Sequence, residues 1–256
     1  MTTLTNFQKV RDFNISFGIG RSSTPDDKLL NLRFDLIQEE SDELLEAISK
    51  KDYVEIIDAV SDILYVVHGA ADSFEKDFDD YLEKYHDIQD TIKFKTDEIG
   101  ELSDKLTGVK FGEERMAAVF DVENTKLNNL LYDYSSIVLQ LKKSFGYKNI
   151  HEIMFGLATI HDYLYIFSYL FGFDLDATFN MVHDSNMSKL AETEDIAKQT
   201  VEWYKKNETR YDSPAYRLSP VKVNGEERWV IYNQSTGKAL KSINYHAVDL
   251  KKYLYQ

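Results

Sequence analysis

Residues 28–49, "KLLNLRFDLIQEESDELLEAIS", bring back an apolar side chain every three or four positions: Leu30, Phe34, Ile37, Leu44 and Ile48. That spacing lines one side of an α-helix. The same period predicts helices over 5–17, 52–85, 88–106, 113–145, 150–171, 175–188 and 192–208. Proline breaks helix interiors, and the chain has only three, Pro25, Pro214 and Pro220. The long interval between the first two is therefore open to a run of helices. Beyond Tyr211 the texture changes. "PVKVNGEERWVIYNQSTGKALKSINY" sets Asn224-Gly225 between two β-rich runs. Both residues tolerate positive φ, which suits a tight hairpin turn. A second turn at "NQSTGK" would add a third short strand. The expected architecture is a mainly α multi-helix bundle over 1–210, with a small β-meander over 211–256 packed on it, because such a meander is too short to fold alone.

Acidic residues interrupt these apolar stripes. Glu39, Glu40 and Glu43 spell E-E-x-x-E on one predicted helix, and Glu40 falls on the line of Ile37, Leu44 and Ile48. On the next, Glu55, Asp58 and Asp62 share a face, with Asp58 and Asp62 interleaved among Val54, Ile57, Tyr65 and Val66. The connection "SKKD" is short, which forces antiparallel neighbours that bury facing stripes. Carboxylates would then point at carboxylates in a partly dry space, and desolvating even one costs several kcal/mol. Arg33, Lys50 and Lys51 stand at the helix ends rather than on these faces. A divalent cation relieves the repulsion most simply, and all-oxygen ligands favour Mg²⁺ or Mn²⁺ over zinc.

Composition narrows the field. The chain has 256 residues, 43% of them apolar, enough for one large domain or a core with an appendage. It has no cysteine, so disulfides and thiolate metal sites are excluded, and a reducing, cytoplasmic setting is the expectation. The start, "MTTLTNFQKVRDFN", lacks the apolar stretch of a signal peptide, and no membrane span is expected. A net charge of −14 disfavours polynucleotide binding. Gly18 and Gly20 are not followed by the Gly-Lys-Ser/Thr of a P-loop, and the six histidines show no H-E-x-x-H spacing. A weak echo joins "KDYVEIIDAVSDILYVVHGAADSF" (51–74) to "KNIHEIMFGLATIHDYLYIFSYLFGFDL" (148–175), pairing Asp62-Ile-Leu-Tyr65 with Asp162-Tyr-Leu-Tyr165. In that register Phe155 and Ala158 stand where Glu55 and Asp58 do.

Acids spaced E-x-x-E on one helix and E/D-x-x-D on the next resemble the signature of the all-α nucleoside triphosphate pyrophosphohydrolases. That group includes MazG-like enzymes, dimeric dUTPases and phosphoribosyl-ATP pyrophosphohydrolase. "EESDEL" (39–44), "DAVSDILYVVHG" (58–69) and "VHDSNMSKL" (182–190) are similar to the MazG-like branch, and "YDSPAYR" and "STGKALKSINY" to the tails of some members. In that branch the helix matching "DAVSDILYVVHG" runs closely into the segment matching "VHDSNMSKL". Here a long stretch separates them, so residues 88–150 read as an insertion or as a degenerate second copy. The resemblance implies a Mg²⁺-dependent hydrolase, Mn²⁺ being the alternative ion, that cleaves a nucleoside triphosphate to the monophosphate and pyrophosphate. It would be house-cleaning or dUTP-directed; the alternative is an inactive nucleotide-binding or sensor protein on the same fold. Carried onto this chain, the metal ligands are Glu40, Glu43, Asp58 and Asp62, with Glu55 the next candidate, and either Asp58 or Asp62 closes the motif. Glu39 would orient or deprotonate the attacking water, with Glu43 beside it among the catalytic acids. Asn186 and Lys189 would contact substrate, and Lys238 and Lys241 its phosphates. The resemblance leaves open a homodimer or a monomer acting as an internal pseudo-dimer.

Overall fold

A computed structural model of the protein describes residues 4–88, 109, 113–122, 124–223 and 225–252. The elements are helices α1 (Asn6–Phe17), α2 (Asp27–Lys50), α3 (Tyr53–Ser73), α4 (Phe78–Ile88), α5 (Glu113–Val122), α6 (Asn124–Gly146), α7 (Ile150–Phe171), α8 (Leu175–Met187) and α9 (Glu194–Asn207). Four short strands follow, β1 (Pro214–Tyr216), β2 (Val221–Val223), β3 (Glu226–Arg228) and β4 (Ile231–Asn233). The fold is mainly α, as the apolar period implies. The chain forms two compact units, one of residues 1–10, 20–180 and 249–256, the other of 11–19 and 181–248.

In the first unit, α2 and α3 form an antiparallel hairpin. Asp26 caps α2 by accepting the amide hydrogen of Leu29. The helix stops at Lys51, whose φ of 55° turns the chain left-handed. There the Lys51 amide bonds Ile48 O at 3.1 Å and the Asp52 amide bonds Ala47 O at 3.0 Å, which satisfies the last carbonyls. Asp52 then caps α3 by accepting from Glu55 N. The apolar stripes of the two helices meet in a core that includes Ile37, Leu44, Ile56, Val60 and Ile63, all fully buried.

Helices α6 and α7 repeat this hairpin. Lys148 takes φ 56°, its amide bonds Phe145 O at 3.0 Å, and the Asn149 amide bonds Ser144 O at 3.1 Å. Asn149 caps α7 by accepting from Glu152 N, as Asp52 does for Glu55. Burial follows the same register: Ile37, Leu44 and Ile48 in α2 correspond to Tyr134, Leu141 and Phe145 in α6, every one of them buried. Helix α3 packs on α7, and α2 on α6. The two hairpins therefore share one turn geometry, and matched through it the pairing of Asp62 with Asp162 is out of step. The matched turns put Thr159 opposite Asp62 and Asp162 opposite Tyr65. Glu55 keeps an acid partner in Glu152, and Asp58 meets Phe155.

Other expectations need correction. The helix expected over 52–85 breaks at Phe74, where the Phe74 and Glu75 amides turn back to Ala71 O and Asp72 O and Glu75 takes φ 57°. Phe74 and Phe78 are both fully buried, so the apolar period runs on through the break and conceals it. The helix expected over 88–106 lies, after its first residue, outside the described residues. That over 113–145 is described as α5 and α6, on either side of residue 123, which lies outside the described residues. Helix α7, Ile150–Phe171, is long and apolar enough to cross a membrane by length and composition alone, and more than half of its apolar window is buried within the protein. A core helix passes the same test.

In the second unit, Thr193 caps α9, and Ala197, Val201 and Tyr204 pack with Ala191, Ile231 and Leu240. The β segment is two ladders rather than one meander: β1 pairs antiparallel with β4, and β2 with β3. The hairpin expected at Asn224-Gly225 forms between β2 and β3, with Gly225 at φ 84° and Asn224 outside the described residues. The turn at "NQSTGK" leads only to a single bridge, Tyr232 with Ala239.

Candidate active site

The two-residue connection between α2 and α3 fixes which acids face one another. Chains running in opposite directions pair late positions of α2 with early positions of α3. Glu43 accordingly feels Glu55, and Asp58 feels both Glu55 and Glu43. One turn further along, Glu40 feels Asp62 most among its charged neighbours, then Glu43, Glu39 and Asp58. All six acids singled out in the sequence thus belong to one electrostatic cluster on one side of the hairpin. Glu39, Glu43 and Glu55 are exposed, whereas Glu40, Asp58 and Asp62 are half-buried.

Burial dominates the energetics. Desolvation, with Asp62 the next cause, pushes the Glu40 carboxyl up to about 8. Asp58 is raised to about 6 by burial and then by Glu55 and Glu43. Glu43 is raised too, by burial and then by Glu39. The Tyr65 phenol, buried next to Asp62 and stacked on Phe179 at 5.5 Å, is pushed well up from its ordinary value. The three basic residues singled out in the sequence are engaged with other groups. Lys50 pairs with Glu46, the Lys51 ammonium lies 5.1 Å from the Phe120 ring centre, and the buried Arg33 guanidinium faces Gly69 and the field of Asp72.

A divalent ion suits this donor set. Every candidate ligand is a carboxylate oxygen, the chemistry of Mg²⁺ and Mn²⁺ sites. Asp58 Oδ1 is buried with no hydrogen-bond partner, a costly state that a cation would relieve. Among the described residues no three acidic or imidazole groups form a ready cage, so side-chain rotation would accompany binding. The four substrate-contact candidates belong to the second unit. Lys189 Nζ donates to Asn186 Oδ1 at 2.5 Å, just past the end of α8. The Lys238 amide closes the Thr236 turn at 3.3 Å, and the Lys241 ammonium stacks 4.2 Å from the Tyr245 ring centre.

Sequence reasoning passed over Ser41 and Tyr134. Their hydroxyls meet at 2.8 Å in the buried seam between α2 and α6, behind the acidic face. A serine at a stripe position of α2, beside Glu40, was the available signal.

An antiparallel helix pair that concentrates carboxylates on one half-buried face is the arrangement that the resemblance to the all-α nucleotide pyrophosphohydrolases implies. The family model for phosphoribosyl-ATP pyrophosphohydrolase matches residues 11–89, which contain the whole acidic hairpin. The chain is also 34% identical over 255 residues to "Uncharacterized protein L479" of Acanthamoeba polyphaga mimivirus, across 93% of this chain and 91% of that one. The protein belongs to the MazG-like all-α NTP pyrophosphohydrolase superfamily, and its activity is of the nucleotide pyrophosphohydrolase type. No solved structure matches it significantly.

Proposed function

We infer that the protein hydrolyses nucleoside triphosphates to monophosphates and pyrophosphate with Mg²⁺, in a house-cleaning or dUTP-directed role. The observation that carries this is the cross-helix acidic cluster, in which Asp58 Oδ1 is buried and unpartnered. Such a pocket repels a bare polyphosphate, so the acids act as a cradle for cations rather than for substrate directly. Glu40, Asp58 and Asp62, held by the packed faces of α2 and α3, supply the inner ligands. Glu43 and Glu55 stand at the open edge. Divalent ions bound there would neutralise phosphate oxygens and acidify a coordinated water. Exposed Glu39 takes the proton of the attacking water. The water oxygen bonds to the α-phosphorus, the α–β bridging P–O bond breaks, and pyrophosphate leaves with the electron pair of that bond.

The test is a panel of NTPs and dNTPs with Mg²⁺, scored by product. Monophosphate plus pyrophosphate is expected. Orthophosphate as the first product would place the cleavage at the wrong bond and overturn the reading. Glu43→Ala and Asp62→Ala should fold and lose activity. Full activity in either variant would remove that residue from the site.

A further inference from the structure

The repeated hairpin has a site of its own. On α2 and α3 the cluster lies on the face of Glu40, Glu43, Asp58 and Asp62. Matched through the Lys51 and Lys148 turns, the same face of α6 and α7 carries Ile137, Gln140, Phe155 and Thr159. These four residues line a cavity of about 480 Å³. At the positions matched to Glu40, Glu43, Asp58 and Asp62 this cavity is thus lined by no acid. An isoleucine, an amide, an aromatic ring and a hydroxyl offer no oxygen-anion set to a divalent ion.

This difference also inverts what can bind. With the four inner carboxylates absent, the charged groups on the lining are Lys143 and Glu152, which accepts from Ser144 Oγ at 3.3 Å. One fixed positive and one fixed negative charge leave the lining close to neutral, on a chain whose net charge is −14. A polyphosphate without its metal is repelled by such a chain, whereas an uncharged ligand is not. The surface on offer is largely apolar. Phe155 is 43% exposed, with its ring in a T-shaped contact with Tyr85 at 5.4 Å between centroids, and Gln140 brings both a donor and an acceptor. The volume is within the range of small-molecule sites and exceeds what one planar ring with a sugar needs.

We propose that the α6–α7 pocket is a metal-independent site for an uncharged nucleoside, stacked on Phe155 and read by the Gln140 amide. The choice of a nucleoside rests on the nucleotide reading of the sister hairpin; the metal independence rests on the residue difference alone.

Binding of 2′-deoxyuridine, thymidine, adenosine and guanosine to the full chain in EDTA, measured by calorimetry, tests this. Saturable binding of at least one, at one per chain, is expected. Phe155→Ala should weaken it about tenfold or more, which is the loss of a stacked ring. Gln140→Ala, at an exposed position, should weaken it too and serves if Phe155→Ala fails to fold. Asp58→Asn in the acidic site should leave it unchanged. Absence of saturable binding by all four nucleosides overturns the proposal. So does binding that Asp58→Asn abolishes and Phe155→Ala leaves intact, because the nucleoside would then occupy the acidic site. Pyrophosphate release is assayed separately with Mg²⁺, so loss of the catalytic reading and loss of this site give different results.

Discussion

Glu40→Gln should stabilise the metal-free protein at alkaline pH while removing the reason for its metal. Glu40 has its carboxyl raised from 4.5 to about 8, by burial first and by Asp62 next. A folded value above the unfolded one means the fold prefers the protonated acid. The contribution is fully present below pH ~4.5 and is lost as pH rises through about 8. Taken whole, the interval between those values would be worth about 5 kcal/mol at 1.36 kcal/mol per pH unit. Glu40 is only half-buried, and water at its open side screens the penalty, so about 2 kcal/mol is the reasonable size. Asp58, raised to about 6, and Glu43 act in the same direction. Urea unfolding in EDTA at several pH values between about 5 and 8.5 reads the effect, since shifts of this size move the midpoint without changing the slope. The parent protein should lose stability across that window, Glu40→Gln should lose about 2 kcal/mol less, and Mg²⁺ should restore the parent but not the variant. Parallel pH profiles for the two proteins would show that Glu40 is not held in a dry, acid-crowded place, and the argument for a cation cradle would fail with it.

The matched turns make a paired prediction: Lys51→Gly and Lys148→Gly should each stabilise by ~0.5–1 kcal/mol in thermal melts, because both lysines sit at left-handed φ, 55° and 56°. Asp52→Ala and Asn149→Ala should each cost about 1 kcal/mol by removal of an N-cap, read by urea unfolding. His68 is fully buried, with both ring nitrogens unpartnered, and burial, then His161, lowers its value well below 6.5. A depressed base stabilises the fold above its unfolded value and loses that contribution as pH falls. His68→Leu should therefore make stability about 2 kcal/mol less sensitive to a drop from pH ~6.5 to ~5, measured against the parent. Tyr134→Phe should cost about 1 kcal/mol, because it leaves Ser41 bonded only to Ile37 O.

What the sequence made legible was whatever repeats with the helix. Leu30, Phe34, Ile37, Leu44 and Ile48 mark the buried side of α2 because each meets the core once per turn, and all five are buried. The same regularity hid the ends of helices. Phe74 and Phe78 keep the period across a chain reversal, since both must reach the core whether or not the backbone between them is helical. Positive φ at Glu75 has no signature in the residue type, whereas Gly225 and Gly237 announce theirs. Strand pairing was less legible still: Ala215 meets Tyr232 across a long connection that no local pattern encodes.

The acidic site was readable for a physical reason that does not apply to the α6–α7 pocket. A carboxylate on an apolar stripe is anomalous by itself, so Glu40 and Asp58 advertise a cost that something must offset. Ile137 and Phe155 on the equivalent stripe look like ordinary packing, and only the matched geometry of Lys148 and Asn149 shows that they stand on an open face rather than in the core. The sequence register failed there by favouring the identical tyrosines and aspartates of 62–65 and 162–165. Those residues point to different surroundings: Asp162 Oδ1 meets His86 Nε2 at 2.9 Å and His161 Nδ1 at 3.3 Å, while Asp62 faces Glu40. A helix pair is aligned by its turn, where backbone hydrogen bonds admit a single register. Side-chain identity along the helix admits several, and so the absence of acids at the matched positions of α6 and α7 becomes visible only once the turn has been placed.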